Sequence, residues 1–128
     1  LNVKIKYIDQ FNLMRAKIAK IYDENLNSCK NIITPKKTKN GFHVYHQYTV
    51  LSKNRDIIKT ELEKNNIGSA IYYPISLEKQ NVYKNSFNNK QNCINSNYLS
   101  NTCLSLPMYP HLSEENVIKV CDTIKKIK

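Results

Sequence analysis

Few side chains in this 128-residue sequence are placed to do chemistry. The dipeptide Tyr72-Tyr73, followed by Pro74, is the most suggestive. Neighbouring residues on an extended segment face opposite ways, and proline cannot donate to a sheet ladder. At least one phenol must therefore reach a pocket, a partner or water, where it can both donate and accept a hydrogen bond. His43 and His46 suggest a metal pair. Three apart on a strand they point to opposite faces, so they read as structural, as does His111. The four cysteines, Cys29, Cys93, Cys103 and Cys121, include no CxxC pair. Cys103 in a predicted strand and Cys121 on a predicted helix stripe read as small buried hydrophobes. No Ser-His-Asp or Cys-His grouping stands out, and the ten acidic residues fall mainly on helix surfaces, so hydrolase chemistry has no support. Two glycines leave no glycine-rich phosphate loop. Most of the nine tyrosines read as core and cross-strand packing.

The net charge of +10 invites a nucleic-acid reading. However, Arg15 and Arg55 are the sole arginines, and the lysines lie in every segment. Nucleic-acid readers favour the bidentate arginine fork. General composition bias is the preferred explanation, and a standalone basic module for RNA or another polyanion is the alternative. No apolar run approaches the roughly 18 residues of a membrane span. Without a secretory signal, a reducing cytosol is expected. An apolar fraction of 41% suffices for one modest core.

The elements that must position these residues follow from periodicity. Residues 3–25 carry apolar side chains at steps of three and four, which predicts one amphipathic helix. It lacks an N-cap signal, and the sequence starts without Met, so the chain is expected to be part of something longer. A short strand is expected at 32–33, a strand at 43–51, a helix at 55–65 stopped by Asn65-Asn66 and Gly68, and a strand at 69–73. Residues 76–83 read as a turn of helix, 84–101 as a surface excursion with a helix over 94–102, and 102–106 as a strand stopped by Pro107. Ser113 caps the last helix, with Glu114 and Glu115 in its first turn and Lys125, Lys126 and Lys128 at its end. Strands separated by helices around a small sheet predict an α+β layer pair.

Gln47-Tyr48-Thr49-Val50-Leu51, Asn54-Arg55-Asp56, the run from Asn66 through Tyr72-Tyr73-Pro74 to Leu77, Gln80, Tyr83, and Leu104-Ser105-Leu106-Pro107-Met108-Tyr109-Pro110 recur in order. Together with the first helix they resemble, over all of residues 1–128, the C-terminal domain of the DegT/StrS sugar aminotransferases. The QYT strand and paired tyrosines are most similar to the branch that aminates UDP-2-acetamido-3-keto-glucuronate. The resemblance implies the small domain of the aspartate-aminotransferase fold: a long first helix and a small, mostly antiparallel sheet of about three strands packed by helices. It implies a homodimeric, cytoplasmic enzyme dependent on pyridoxal 5'-phosphate, moving an amino group, with glutamate as donor, to a nucleotide-linked keto sugar. The Schiff-base lysine and the other cofactor-binding residues have no counterpart in this chain. The fragment alone is therefore expected to be inactive, as would be a non-catalytic relic of the fold. Carried over by position, the substrate-facing residues are Tyr72 and Tyr73. Relatives often have His where Tyr72 and Glu78 stand, and Glu78 is assigned no site role because its carboxylate would repel an acidic sugar or phosphate.

Overall fold

The computed structural model describes residues 1–83 and 93–127. The first half of the expected excursion over 84–101, and Lys128 at the end of the last helix, lie outside the described residues.

The first helix is two pieces, α1 (Asn2–Ile5) and α2 (Ile8–Leu26), rather than one. Val3, Tyr7 and Ile8 are exposed, and burial on α2 begins at Ile18. A helix stretch without a packing partner is marginal, so apolar periodicity alone does not hold the first turns in line. Further along, Ile18, Ala19, Tyr22 and Leu26 form the stripe that enters the core.

Strand β1 (Tyr48–Leu51) is shorter than the predicted 43–51. Tyr45 adopts φ 48°, in the left-handed region, and turns its ring into the core. That backbone conformation ends the extended run. β1 is followed by α3 (Arg55–Lys64), the 3-10 turns Leu77–Lys79 and Asn81–Tyr83, and α4 (Ile94–Thr102). The chain closes with β2 (Cys103–Leu106) and α5 (Glu114–Lys125). α3 stops where expected, but Asn66, at φ 57°, takes the left-handed position rather than Gly68. Its N–H donates to the Glu63 carbonyl and that of Ile67 to the Leu62 carbonyl, the paired bonds of a Schellman ending.

β1 and β2 pair antiparallel from Tyr48 opposite Leu106 to Leu51 opposite Cys103. Single bridges flank them, Ile33 on Leu51 and Ala70 on Ser105. The expected strands at 32–33 and 69–73 are thus each reduced to one bridge, and the sheet has two strands rather than about three among the described residues. In the 69–73 segment Ala70 alone exchanges backbone bonds with β2; the Tyr72 carbonyl instead accepts from the Cys103 thiol at 3.7 Å. The class remains α+β, with α2, α3 and α5 layered on one face of a small antiparallel sheet.

That face carries Tyr48, Val50, Leu104 and Leu106, buried with Tyr22 and Leu26 of α2 and Val117, Val120, Cys121 and Ile124 of α5. Tyr22 and Tyr48 stack with ring centroids 4.6 Å apart. Of the nine tyrosines, Tyr22, Tyr45 and Tyr48 enter the core, so packing accounts for fewer of them than the composition suggests. Ser113 Oγ accepts from the Asn116 N–H at 3.3 Å, the expected cap of α5. Among the described residues no helix is long and apolar enough to cross a membrane.

Candidate functional site

Strand alternation sends Thr49, Leu51, Cys103 and Ser105 to the face away from α2, α3 and α5. Thr49 Oγ1 and Ser105 Oγ lie 2.8 Å apart and share a hydrogen bond across the pair. Thr49, Leu51 and Cys103 floor a cavity of about 360 Å³. Its walls are the 72–80 segment, with Tyr72, Tyr73, Ile75 and Glu78, and α4, with Leu99 and Ser100. Arg55 fixes the second wall: its buried guanidinium donates from Nη1 to the Ser100 carbonyl at 3.1 Å and to the Cys103 carbonyl at 3.4 Å. Its Nε pairs with Asp56 at 2.7 Å. The start of α3 is thereby tied to the end of α4 and the start of β2.

Tyr72 is 47% and Tyr73 73% exposed. Both line this cavity, and their connecting peptide is cis. Their rings do not point to opposite faces, as an extended strand would require. They meet edge to face with centroids 5.8 Å apart. Tyr72 also borders a second groove, of about 360 Å³, with His46, Gln47, Ser69 and Met108. It is the ridge between the two.

Glu78 enters the first cavity through the 3-10 turn that follows Ser76. The buried Ser76 hydroxyl donates to Glu78 Oε1 at 2.7 Å. That bond holds the carboxyl below the usual range and keeps it ionised near neutral pH. The period-two alternation of β1 puts Thr49 and Leu51 on one face. The contributions of Ser76, Leu99, Ser100 and Cys103 could not be read from sequence, because three separate segments meet there.

The histidines do other work. His43 Nδ1 accepts from the Tyr45 N–H at 3.0 Å, His46 borders the second groove, and His111 lies edge-on to Phe11. His43 and His46 precede β1, so the strand argument for separating them does not apply; their different engagements do so instead. Among the described residues no group of three or more His, Cys, Asp or Glu could hold a metal ion. Cys103 and Cys121 are buried as expected, and burial pushes the Cys121 thiol up to about 12.

Residues 1–125 match the DegT/DnrJ/EryC1/StrS aminotransferase family. The chain belongs to that family. Over 126 residues it is 31% identical to a UDP-N-acetyl-3-dehydro-alpha-D-glucosamine 3-aminotransferase of Acidithiobacillus ferrooxidans, covering 98% of this chain and 33% of that protein. It is 30% identical over 118 residues to a UDP-2-acetamido-2-deoxy-3-oxo-D-glucuronate aminotransferase of Pseudomonas aeruginosa, covering 92% and 32%. A crystal structure of a family member from Brucella abortus superposes with a TM-score of 0.90 at 31% identity, covering 98% of this chain and 33% of that one. This DegT/StrS-family chain therefore spans about a third of the length of the relatives it matches.

Enzymes of the family depend on pyridoxal phosphate in general, a cofactor whose aldehyde needs a lysine. Among the described residues no lysine lines either cavity beside Tyr72. Among the described residues the lysines are exposed except Lys59, which is ion-paired with Glu63. The described residues of this DegT/StrS-family chain show no cavity whose lining fits the cofactor's aldehyde.

Proposed function

We propose that this chain is the substrate-side, C-terminal domain of a cytoplasmic, homodimeric aminotransferase that moves an amino group from glutamate to a nucleotide-linked keto sugar. The observation that carries the reading is the exposed Tyr72-Tyr73 pair at the mouth of a cavity, in a chain that matches a sugar-aminotransferase family from end to end. Pyridoxal phosphate, held by the remainder of the polypeptide, supplies the electron sink for the transfer.

This chain's part is recognition. Tyr72 and Tyr73 offer two phenols and two ring faces, which suit hydroxyls and the apolar faces of a sugar. Ile75, Leu77 and Leu99 give the cavity an apolar wall that excludes water from a bound ligand. Positioning of this kind raises the rate by fixing the reacting carbon against groups supplied from elsewhere. Relatives named for a neutral and for a uronic acid sugar are almost equally similar to this chain, at 31% and 30%, so identity does not choose between those substrates.

The test uses the intact natural polypeptide that contains these residues, with pyridoxal phosphate, glutamate and a set of nucleotide-linked keto sugars. Formation of 2-oxoglutarate together with an amino sugar is expected, and Tyr72→Ala or Tyr73→Ala should lower it. Glutamate turnover with no nucleotide sugar as acceptor, or sugar binding indifferent to both tyrosines, would overturn the proposal.

A further inference from the structure

We propose that Glu78 is a specificity-determining residue that makes this site select an uncharged sugar over a uronic acid. The inference rests on the reading of Tyr72 and Tyr73 as substrate-facing, and it narrows the substrate class of that same site.

Three observations place a fixed negative charge there. Glu78 lines the cavity that Tyr72 and Tyr73 border. It is the one charged side chain among the described residues that line it; the rest are apolar, hydroxylic, amide or thiol. Its carboxylate is also held in place. Ser76, 8% exposed, donates its hydroxyl to Oε1 at 2.7 Å, and a hydroxyl that donates to a carboxylate favours the ionised form. The charge is therefore present whenever substrate arrives.

Two sugars linked to the same nucleoside diphosphate carry the same phosphate charge, so repulsion between that group and Glu78 is common to both. A uronic acid adds one further anion on the sugar itself. With like charges about 4–5 Å apart in a water-like dielectric, repulsion weakens binding of the uronic acid about fourfold to sixfold. Discrimination of this kind comes from a repulsive element against the wrong ligand rather than a new contact to the right one.

The experiment is calorimetric titration of the intact natural polypeptide with two stable ligands, UDP-N-acetylglucosamine and the corresponding UDP-N-acetylglucosaminuronic acid. At low ionic strength the neutral sugar should bind about fourfold to sixfold more tightly. Glu78→Gln preserves shape and removes the charge. It should close that gap by tightening the uronic acid more than the neutral sugar, which gains only the relief of its diphosphate. A second readout needs no variant: in the wild type, salt at about 0.5 M should shrink the gap, because screening acts on charge and not on shape. Equal affinity in the wild type, a gap untouched by Glu78→Gln, or a gap insensitive to salt would overturn the inference and leave the substrate-side reading standing. Failure of both ligands to bind, or binding indifferent to Tyr72→Ala and Tyr73→Ala, would overturn that reading and the inference with it.

Discussion

Tyr48 on β1 donates its phenolic hydroxyl to Asp23 Oδ1 on α2 at 2.6 Å, while its ring stacks on Tyr22 of the same helix. One side chain thus fixes the sheet to the helix layer by both a charge-assisted bond and an aromatic contact. Tyr48→Phe keeps the ring and removes the bond. A hydrogen bond to a charged group contributes about 1.5–3 kcal/mol, and urea denaturation of the variant should show a loss in that range. Tyr48→Phe as stable as the wild type would mean that Asp23 finds water as a full substitute.

Alkaline pH should destabilise the fold. Burial, the largest cause, raises Tyr22, Tyr45 and Tyr48 above the ordinary tyrosine value, and it raises the Cys121 thiol to about 12. These groups stay protonated in the native state while the unfolded chain loses its protons, so the unfolded state binds fewer protons and stability falls as pH rises. The effect is absent below about pH 8.5, sets in as the unfolded thiol titrates and steepens through about pH 10. Each group held neutral adds a slope of about 1.4 kcal/mol per pH unit. Urea midpoints at pH 7.5, 9 and 10.5 should decline, and Cys121→Ala should be flatter between the first two. A midpoint constant across this range would contradict the burial of these groups.

Arg55 should matter more than its position on a polar helix suggests. Its guanidinium bonds two carbonyls on different elements, at Ser100 and Cys103. Arg55→Met retains volume but leaves those acceptors without their donor. A loss of about 1–3 kcal/mol is expected by denaturation, with broadened amide resonances around Ser100. Unchanged stability would place these carbonyls in contact with water.

Ser113→Ala removes the side-chain cap of α5 and should cost about 1 kcal/mol. α5 carries one side of the core, so the loss should appear in global unfolding rather than as local fraying. Amide exchange distinguishes the two outcomes.

At the site, Tyr73→Phe deletes one hydroxyl from a side chain that is 73% exposed. Stability should stay within about 0.5 kcal/mol of the wild type, while affinity of the intact polypeptide for a nucleotide sugar should fall about threefold to tenfold, the worth of one hydrogen bond. Normal affinity in Tyr73→Phe with weak binding in Tyr73→Ala would assign the role to the ring face.

What the sequence determined by itself was local and periodic. The stripe of α2 from Ile18 onward, the span of α3, the Ser113 cap and the burial of Cys103 and Cys121 follow from spacing and capping chemistry. Those features depend on residues within a few positions of one another. The ordered motifs through Tyr72-Tyr73-Pro74 also identified the family. Tertiary structure decided what depends on distant partners. The first helix breaks at Tyr7 because no packing partner among the described residues buries Val3 and Ile8. β1 begins only at Tyr48 because Tyr45 leaves the extended region to fill the core. The segment around Ala70 pairs through one residue, and the two tyrosines meet edge to face. Glu78 joins them through Ser76, a bond that places a charge in a cavity built from three separate segments. Burial and charge in such a cavity are properties of the assembled walls, and no run of neighbouring residues encodes them.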